Sequence, residues 1–210
     1  MTTPTELRRL LRQALPALAA HEDRLRDLDA ALGDGDLGIT VRSGCTAIVE
    51  SLDALPSEAG IDEILRAAGK AFATANPSTF AALIGGGLLA AAKVVPSTDA
   101  LDRVGAGAIV RAVTDRIVER GKAQLGDKTI LDALVPTLAI LDADDDSSSA
   151  EVVGTMRDLA HERVEETAAL KSVRGRAAWV GERGVGHPDP GATAYALLLD
   201  ELATAMGARS

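Results

Sequence analysis

Apolar residues recur at helical spacing along almost the whole chain, broken by short polar or glycine-rich connections. Leu7, Leu10, Leu11, Ala14 and Leu18 share one face, and the pattern resumes at Leu25, Leu28 and Leu32. Ile48, Leu52 and Leu55 predict a second helix stopped near Pro56. Ile61, Ile64, Leu65, Ala68 and Phe72 predict a third, with Asp62 and Glu63 in its first turn, where the helix dipole favours acid. The stretch from Phe80 to Val95 is apolar nearly all round and predicts a central helix. Further helices follow at Val104–Ile117, Ile130–Leu141, Val152–Leu170 and Tyr195–Met206, eight in all, with no persuasive strand.

Composition supports an all-α fold. The 210 residues are 47% hydrophobic and 25% charged, with two Phe, one Trp and one Tyr, too few aromatics for a sandwich or barrel of strands. That length fits one domain over residues 1–210 with a sizeable core. The formal net charge of −9 argues against nucleic acid as partner, since affinity for a polyanion rests on Lys and Arg neutralising phosphates. The lone Cys45 reads as a small buried apolar residue in a reducing compartment. No apolar run reaches membrane-spanning length and the first residues lack a leader pattern, so the expectation is a cytoplasmic protein without a membrane partner.

The connections carry the chemistry. In Asp29-Ala30-Ala31-Leu32-Gly33-Asp34-Gly35-Asp36-Leu37-Gly38, Asp34 and Asp36 face one way on an extended loop, and Asp29 reaches the same point from the last turn of a helix. Three anions that converge repel one another unless a cation lies between them, and hard oxygen ligands favour Mg²⁺, Mn²⁺ or Ca²⁺. The same residues equally describe a solvated connector that caps the next helix. Three Asp supply −3, so two Mg²⁺ leave about +1, which suits a nucleotide's phosphates.

Asn76-Pro77-Ser78-Thr79-Phe80 is a turn into a helix, with Ser78 or Thr79 as cap, and such a start either binds phosphate or is simply capped. Gly85-Gly86-Gly87 reads as close helix packing. Asp189-Pro190-Gly191 is a strong helix start, with Asp as cap and Pro first. Before it, Lys171 to Arg183 is the one basic concentration, serving an anion or pairing with acidic helix faces. Within it Trp179 is expected to pack, and His187 beyond it to be structural. Asp127 or Thr129 caps the helix at Ile130, and Lys128 is a weak phosphate candidate. The acidic run Asp142 to Ser149 reads as a solvated connection ending in a cap.

Asp29-x4-Asp34-x-Asp36-x-Gly38, Gly126-Asp127-Lys128-Thr129 and Gly181-Glu182-Arg183-x3-His187-x-Asp189-Pro190-Gly191-Ala192 stand in this order. Together they resemble the L subunit of dihydroxyacetone kinase, or the equivalent domain of single-chain kinases, over essentially the whole chain. The resemblance implies a closed barrel of eight antiparallel amphipathic helices with a nucleotide site at one end. It implies that Asp29, Asp34 and Asp36 ligate two Mg²⁺ ions bridging the phosphates of ATP or ADP. It gives phosphate contacts to Leu37, Gly38, Ile39 and Thr40 and to Ser78 and Thr79. Gly121 and Ile130 would border the adenine, Arg176 would approach the nucleotide as a catalytic residue beside the three Asp, and Asp189, Pro190 and Gly191 would line the pocket. The implied activity is phosphorylation of a small ketose held by a separate K-type subunit, with ATP consumed or with bound ADP recharged by a phosphocarrier protein of the phosphoenolpyruvate system. The same pocket would serve a non-catalytic subunit that controls a partner through nucleotide occupancy. The family usually has a Gly-Ser/Thr-Ser-Gly type turn where this chain has Asn76-Pro77-Ser78-Thr79, and Pro77 removes one amide donor. Leu37 and Ile39-Thr40 stand where polar residues are common.

Overall fold

A computed structural model describes all residues except 96–99, 180 and 208–210, together with the side chain of Arg176. The described residues form nine α-helices and no strand: α1 (Pro4–Ala19), α2 (Glu22–Leu32), α3 (Leu37–Asp53), α4 (Ile61–Ala75), α5 (Thr79–Val94), α6 (Arg103–Gly121), α7 (Ile130–Asp142), α8 (Ser149–Thr167) and α9 (Pro190–Ala205). Two 3-10 turns, Arg176–Trp179 and Gly181–Gly184, lie between α8 and α9.

The count is nine rather than eight because the first apolar stretch breaks at Ala20 and His21. Leu18 and Leu25 are seven residues apart, two helical turns, so the periodicity passes over the break without a change of phase.

Local chemistry sets the helix starts. Thr3, Ser78, Asp102, Thr129, Ser148 and Asp189 each accept a backbone N–H of the first turn, and Pro stands at the start of α1 and α9. Ser148 with Glu151 forms a capping box at the end of the acidic run, and Asp145 within that run pairs with Arg103 at 2.7 Å.

Successive helices from α3 to α9 pack as neighbours, α1 packs on α3, and α9 returns against α1; α2 lies on α3 and α9. The glycines of α5 permit close approach, as their sequence implies. A Cβ on Gly85 would stand 2.6 Å from the Gly69 carbonyl of α4, and one on Gly87 would stand 3.0 Å from Val113 Cα of α6. Cys45 is buried in the apolar core, where desolvation pushes its thiol up to about 12. No helix among the described residues is long and apolar enough to cross a membrane.

Candidate functional site

The α2–α3 connection gathers three carboxylates. Gly33 closes α2 by donating its N–H to the Asp29 carbonyl, and Gly35 turns the chain at φ +76°, a conformation costly for a residue with a Cβ. Asp29 Oδ2 accepts the N–H of Leu37 at 3.0 Å, so the end of α2 is tied to the first turn of α3. Asp29, Asp34 and Asp36 each present an oxygen, and the three oxygens lie within 4.8 Å of one another. Burial, then the Asp29 charge, raises the Asp36 carboxyl above its ordinary value. This donor set, all carboxylate oxygen with neither imidazole nor thiolate, fits a hard divalent cation.

These residues line one side of a cavity of about 460 Å³. The starts of four helices open onto the same space: Leu37 of α3, Ser78 and Thr79 of α5, Thr129 and Ile130 of α7, and Asp189, Pro190 and Gly191 of α9. Each start presents backbone N–H groups and the positive end of a helix dipole, so the cavity suits an anion. Phe80, Leu83, Ile117, Ala123 and Ile130 add an apolar wall. The arrangement therefore offers cation ligands, anion donors and an apolar surface in one space.

Its cations are differently engaged. Lys128 is 2% exposed, takes φ +60°, and donates Nζ to the carbonyls of Gly184 at 2.7 Å and Leu170 at 3.0 Å. Its burial lowers its pKa, opposed by the Asp189 charge. Arg174 donates Nε to Asp127 Oδ2 at 2.8 Å. Arg120, in the last turn of α6, is exposed.

Asp189 is buried, caps α9 by accepting the Ala192 N–H at 2.7 Å, and makes no ion pair within 4.0 Å among the described residues. Burial pushes its carboxyl up to about 7; Asp132 adds to the rise, while Lys128 and the N–H groups of Ala192 and Gly191 oppose it. The unfolded chain loses this proton near the ordinary value of 3.8, and the folded chain near 7. Between those values the folded state holds more protons than the unfolded one, so this group's contribution to stability is whole below about 3.8 and falls as the pH rises to about 7. Asp189→Asn is expected to flatten that part of the stability–pH curve, measured by urea unfolding at a series of pH values; an unchanged slope would refute the assignment.

Residues 31–204 match the DAK2 domain. The chain belongs to the DAK2-domain family, that of the L subunit of dihydroxyacetone kinase. This DAK2 chain is 37% identical over 185 residues to L-erythrulose 1-kinase of Mycolicibacterium smegmatis, covering 88% of the chain and 32% of the relative. It thus spans about a third of the length of that erythrulose kinase. It is 31% identical to the ADP-binding subunit DhaL of a PEP-dependent dihydroxyacetone kinase of Listeria innocua, covering 85% of the chain and 84% of the subunit. Among solved structures, the dihydroxyacetone kinase from C. freundii in complex with AMP-PNP and Mg²⁺ superposes with a TM-score of 0.73 at 23% identity, over 93% of the chain and 33% of that protein. At that identity the likeness speaks for the fold.

Of the residues that the motifs single out in this DAK2 domain, Asp29, Asp34, Asp36, Leu37, Ser78, Thr79, Gly121, Ile130, Asp189, Pro190 and Gly191 line the cavity together. Gly38, Ile39 and Thr40 are not among the lining residues. Gly38 is buried against α2, Ile39 is exposed, and Thr40 is buried with its hydroxyl accepting Asn76 Nδ2 at 2.9 Å. Arg176 opens a 3-10 turn, and its side chain lies outside the described residues. One expectation is narrowed and one corrected. Lys128 lines the cavity, but two of its three ammonium donors go to the carbonyls of Leu170 and Gly184. Trp179 does not pack: it is 89% exposed on the cavity's rim. Arg120 was missed, though its place one residue before Gly121 and three after Ile117 puts all three on one end of one helix.

Proposed function

We propose that this DAK2 domain binds ATP or ADP with Mg²⁺ and transfers a phosphoryl group to a small ketose held by a separate K-type subunit. The observation that carries the proposal is the meeting of three carboxylates with four helix starts in one cavity. In this reading α1 and α3 to α9 form the closed eight-helix barrel of one domain over residues 1–210, with α2 outside it and the site at one end. The names of the relatives supply the acceptor class: dihydroxyacetone, or a four-carbon ketose as for the erythrulose kinases.

Asp29, Asp34 and Asp36 would hold two Mg²⁺ ions, which when bound neutralise charge on the phosphates and on the transferred group. The first-turn amides at Leu37, Ser78 and Thr79 orient the phosphates, and Arg176 is assigned to the transferred group on the family resemblance alone. The apolar wall, with Gly121 and Ile130, takes the base, and the start of α9 closes the pocket. General-base work belongs to the subunit that holds the acceptor.

Calorimetric titration with ADP and ATP, with and without Mg²⁺, tests this reading. Mg²⁺ is expected to tighten nucleotide binding by at least about tenfold, ~1.4 kcal/mol. Slow release in a chase assigns bound ADP as a cofactor recharged by a phosphocarrier protein, and fast release assigns ATP as substrate. Product from a mixture with a K-type subunit, Mg-ATP and dihydroxyacetone or erythrulose separates a transferase from a purely regulatory subunit. Binding that ignores Mg²⁺ would refute the metal assignment.

A further inference from the structure

Lys128 carries two separate costs. Among the described residues it is the largest fully buried side chain, and a buried ammonium is unfavourable unless its protons are bonded. Its backbone also stands at φ +60°, where a Cβ is disfavoured. Among the described residues other than glycine, only Lys122 shares a positive φ, and that residue is the exposed cap that ends α6. Glycine would meet the backbone requirement at Lys128 without strain, and an apolar side chain would meet the burial without desolvating a charge. Local strain of this kind persists where the surrounding structure uses it.

The ammonium holds the neck of a loop. Its Nζ donates to the carbonyls of Leu170 at 3.0 Å and Gly184 at 2.7 Å, which stand on either side of the stretch that carries Arg174, Gly175, Ala177 and Trp179. Those four residues form one side of the cavity. The residue before Lys128 fastens the same stretch: the Asp127 carbonyl accepts the Val173 N–H at 3.3 Å, and Asp127 Oδ2 accepts Arg174 Nε at 2.8 Å. The residue after it, Thr129, caps α7 and lines the cavity. The charge of Lys128 also acts on Asp189, the cap of α9. A further tie across the neck joins Lys171 Nζ to Glu182 Oε1 at 2.7 Å, but both side chains are exposed, and pairs of that kind hold little. Lys128 is the buried fastening.

We infer that Lys128 is a positioning residue, a clasp that keeps the wall of Arg174, Gly175, Ala177 and Trp179 in place before a nucleotide arrives. The inference rests on the Mg-nucleotide reading above and adds to it a residue that acts through the backbone of its neighbours. A wall that must first be ordered lowers the apparent affinity by the fraction of time it is formed. With the clasp closed, the cost of ordering that wall is met during folding and not by the ligand.

Hydrogen exchange at the Val173 amide, read on the full chain beside calorimetry with Mg-ADP, tests the clasp. In the unaltered chain this amide is expected to be protected before nucleotide is added. Lys128→Met is expected to speed its exchange by about tenfold or more, to weaken Mg-ADP by about tenfold, and to regain protection once Mg-ADP is bound. Protection that returns with the ligand is the signature of positioning, which a loss of overall stability does not produce. Lys128→Gly, which relieves the positive φ while removing the ammonium, is expected to behave alike and guards against a variant that does not fold. Exchange as slow as in the parent overturns the inference. Where affinity falls at the same time, Lys128 touches the nucleotide itself. Should neither variant fold, the unaltered chain decides, since free exchange at Val173 without nucleotide overturns the preformed wall and protection supports it. An unaltered chain that binds no Mg-nucleotide refutes the phosphotransfer reading, and the exchange comparison still decides the clasp.

Discussion

Asp36→Asn is expected to reduce phosphoryl transfer about a thousandfold or more, about 4 kcal/mol of barrier. The change keeps the volume of the side chain and removes one of three anions whose oxygens lie within 4.8 Å of one another. Its effect on the fold runs the other way. Burial and the Asp29 charge make ionised Asp36 costly without a cation, so the variant is expected to melt no lower than the parent in the absence of Mg²⁺. Added Mg-ADP is expected to raise the melting temperature of the parent and to leave the variant nearly unmoved. A thermal shift series with and without Mg-ADP reads both halves. A variant stabilised as much as the parent would remove Asp36 from the cation site.

Gly38→Ala is expected to cost about 3 kcal/mol of stability and to weaken Mg-nucleotide binding together with it. A Cβ at this position would stand 2.2 Å from the Glu22 carbonyl oxygen and 3.0 Å from the Arg26 nitrogen, both backbone atoms of α2. Backbone cannot rotate away, so α2 and α3 must separate. Asp29 belongs to α2 and Asp36 precedes α3, which couples packing at Gly38 to the spacing of the carboxylates. Gly154 in α8 is the control, because a Cβ there meets nothing within 4 Å. Gly154→Ala is expected to stabilise by about 0.5–1 kcal/mol. Urea unfolding of both variants, with calorimetry of the first, checks the pair, and a Gly38→Ala chain as stable as the parent would contradict the packing.

The parts of the site that the sequence made legible are those that local chemistry governs. The caps at Ser78, Thr129 and Asp189 follow from side chains that reach their own first turn, and the acidic trio follows from carboxylates close along the chain. What escaped depends on distant neighbours. Lys128 looks available in sequence, and only the fold brings the carbonyls of Leu170 and Gly184 to its ammonium. Trp179 looks like core because tryptophan usually is, and no periodicity across the glycine-broken segment could say otherwise. Gly38 reads as a phosphate contact by its motif, yet its nearest atoms belong to α2. Thr40 likewise spends its hydroxyl on Asn76, the residue that begins the turn into α5.

The two halves of the cavity differ in how far along the chain their parts are drawn. Asp29, Asp34 and Asp36 belong to one helix end and the loop after it, a hairpin whose closure entropy is small. The helix starts at Ser78, Thr129 and Asp189 come from well-separated stretches and meet only when α9 has been placed. High sequence separation makes contacts of that kind late in folding. An emerging chain would therefore own its cation-binding hairpin long before it owned a place for phosphate. Tight ligand capture is in this sense a certificate of completed assembly, issued only after the last helix is home.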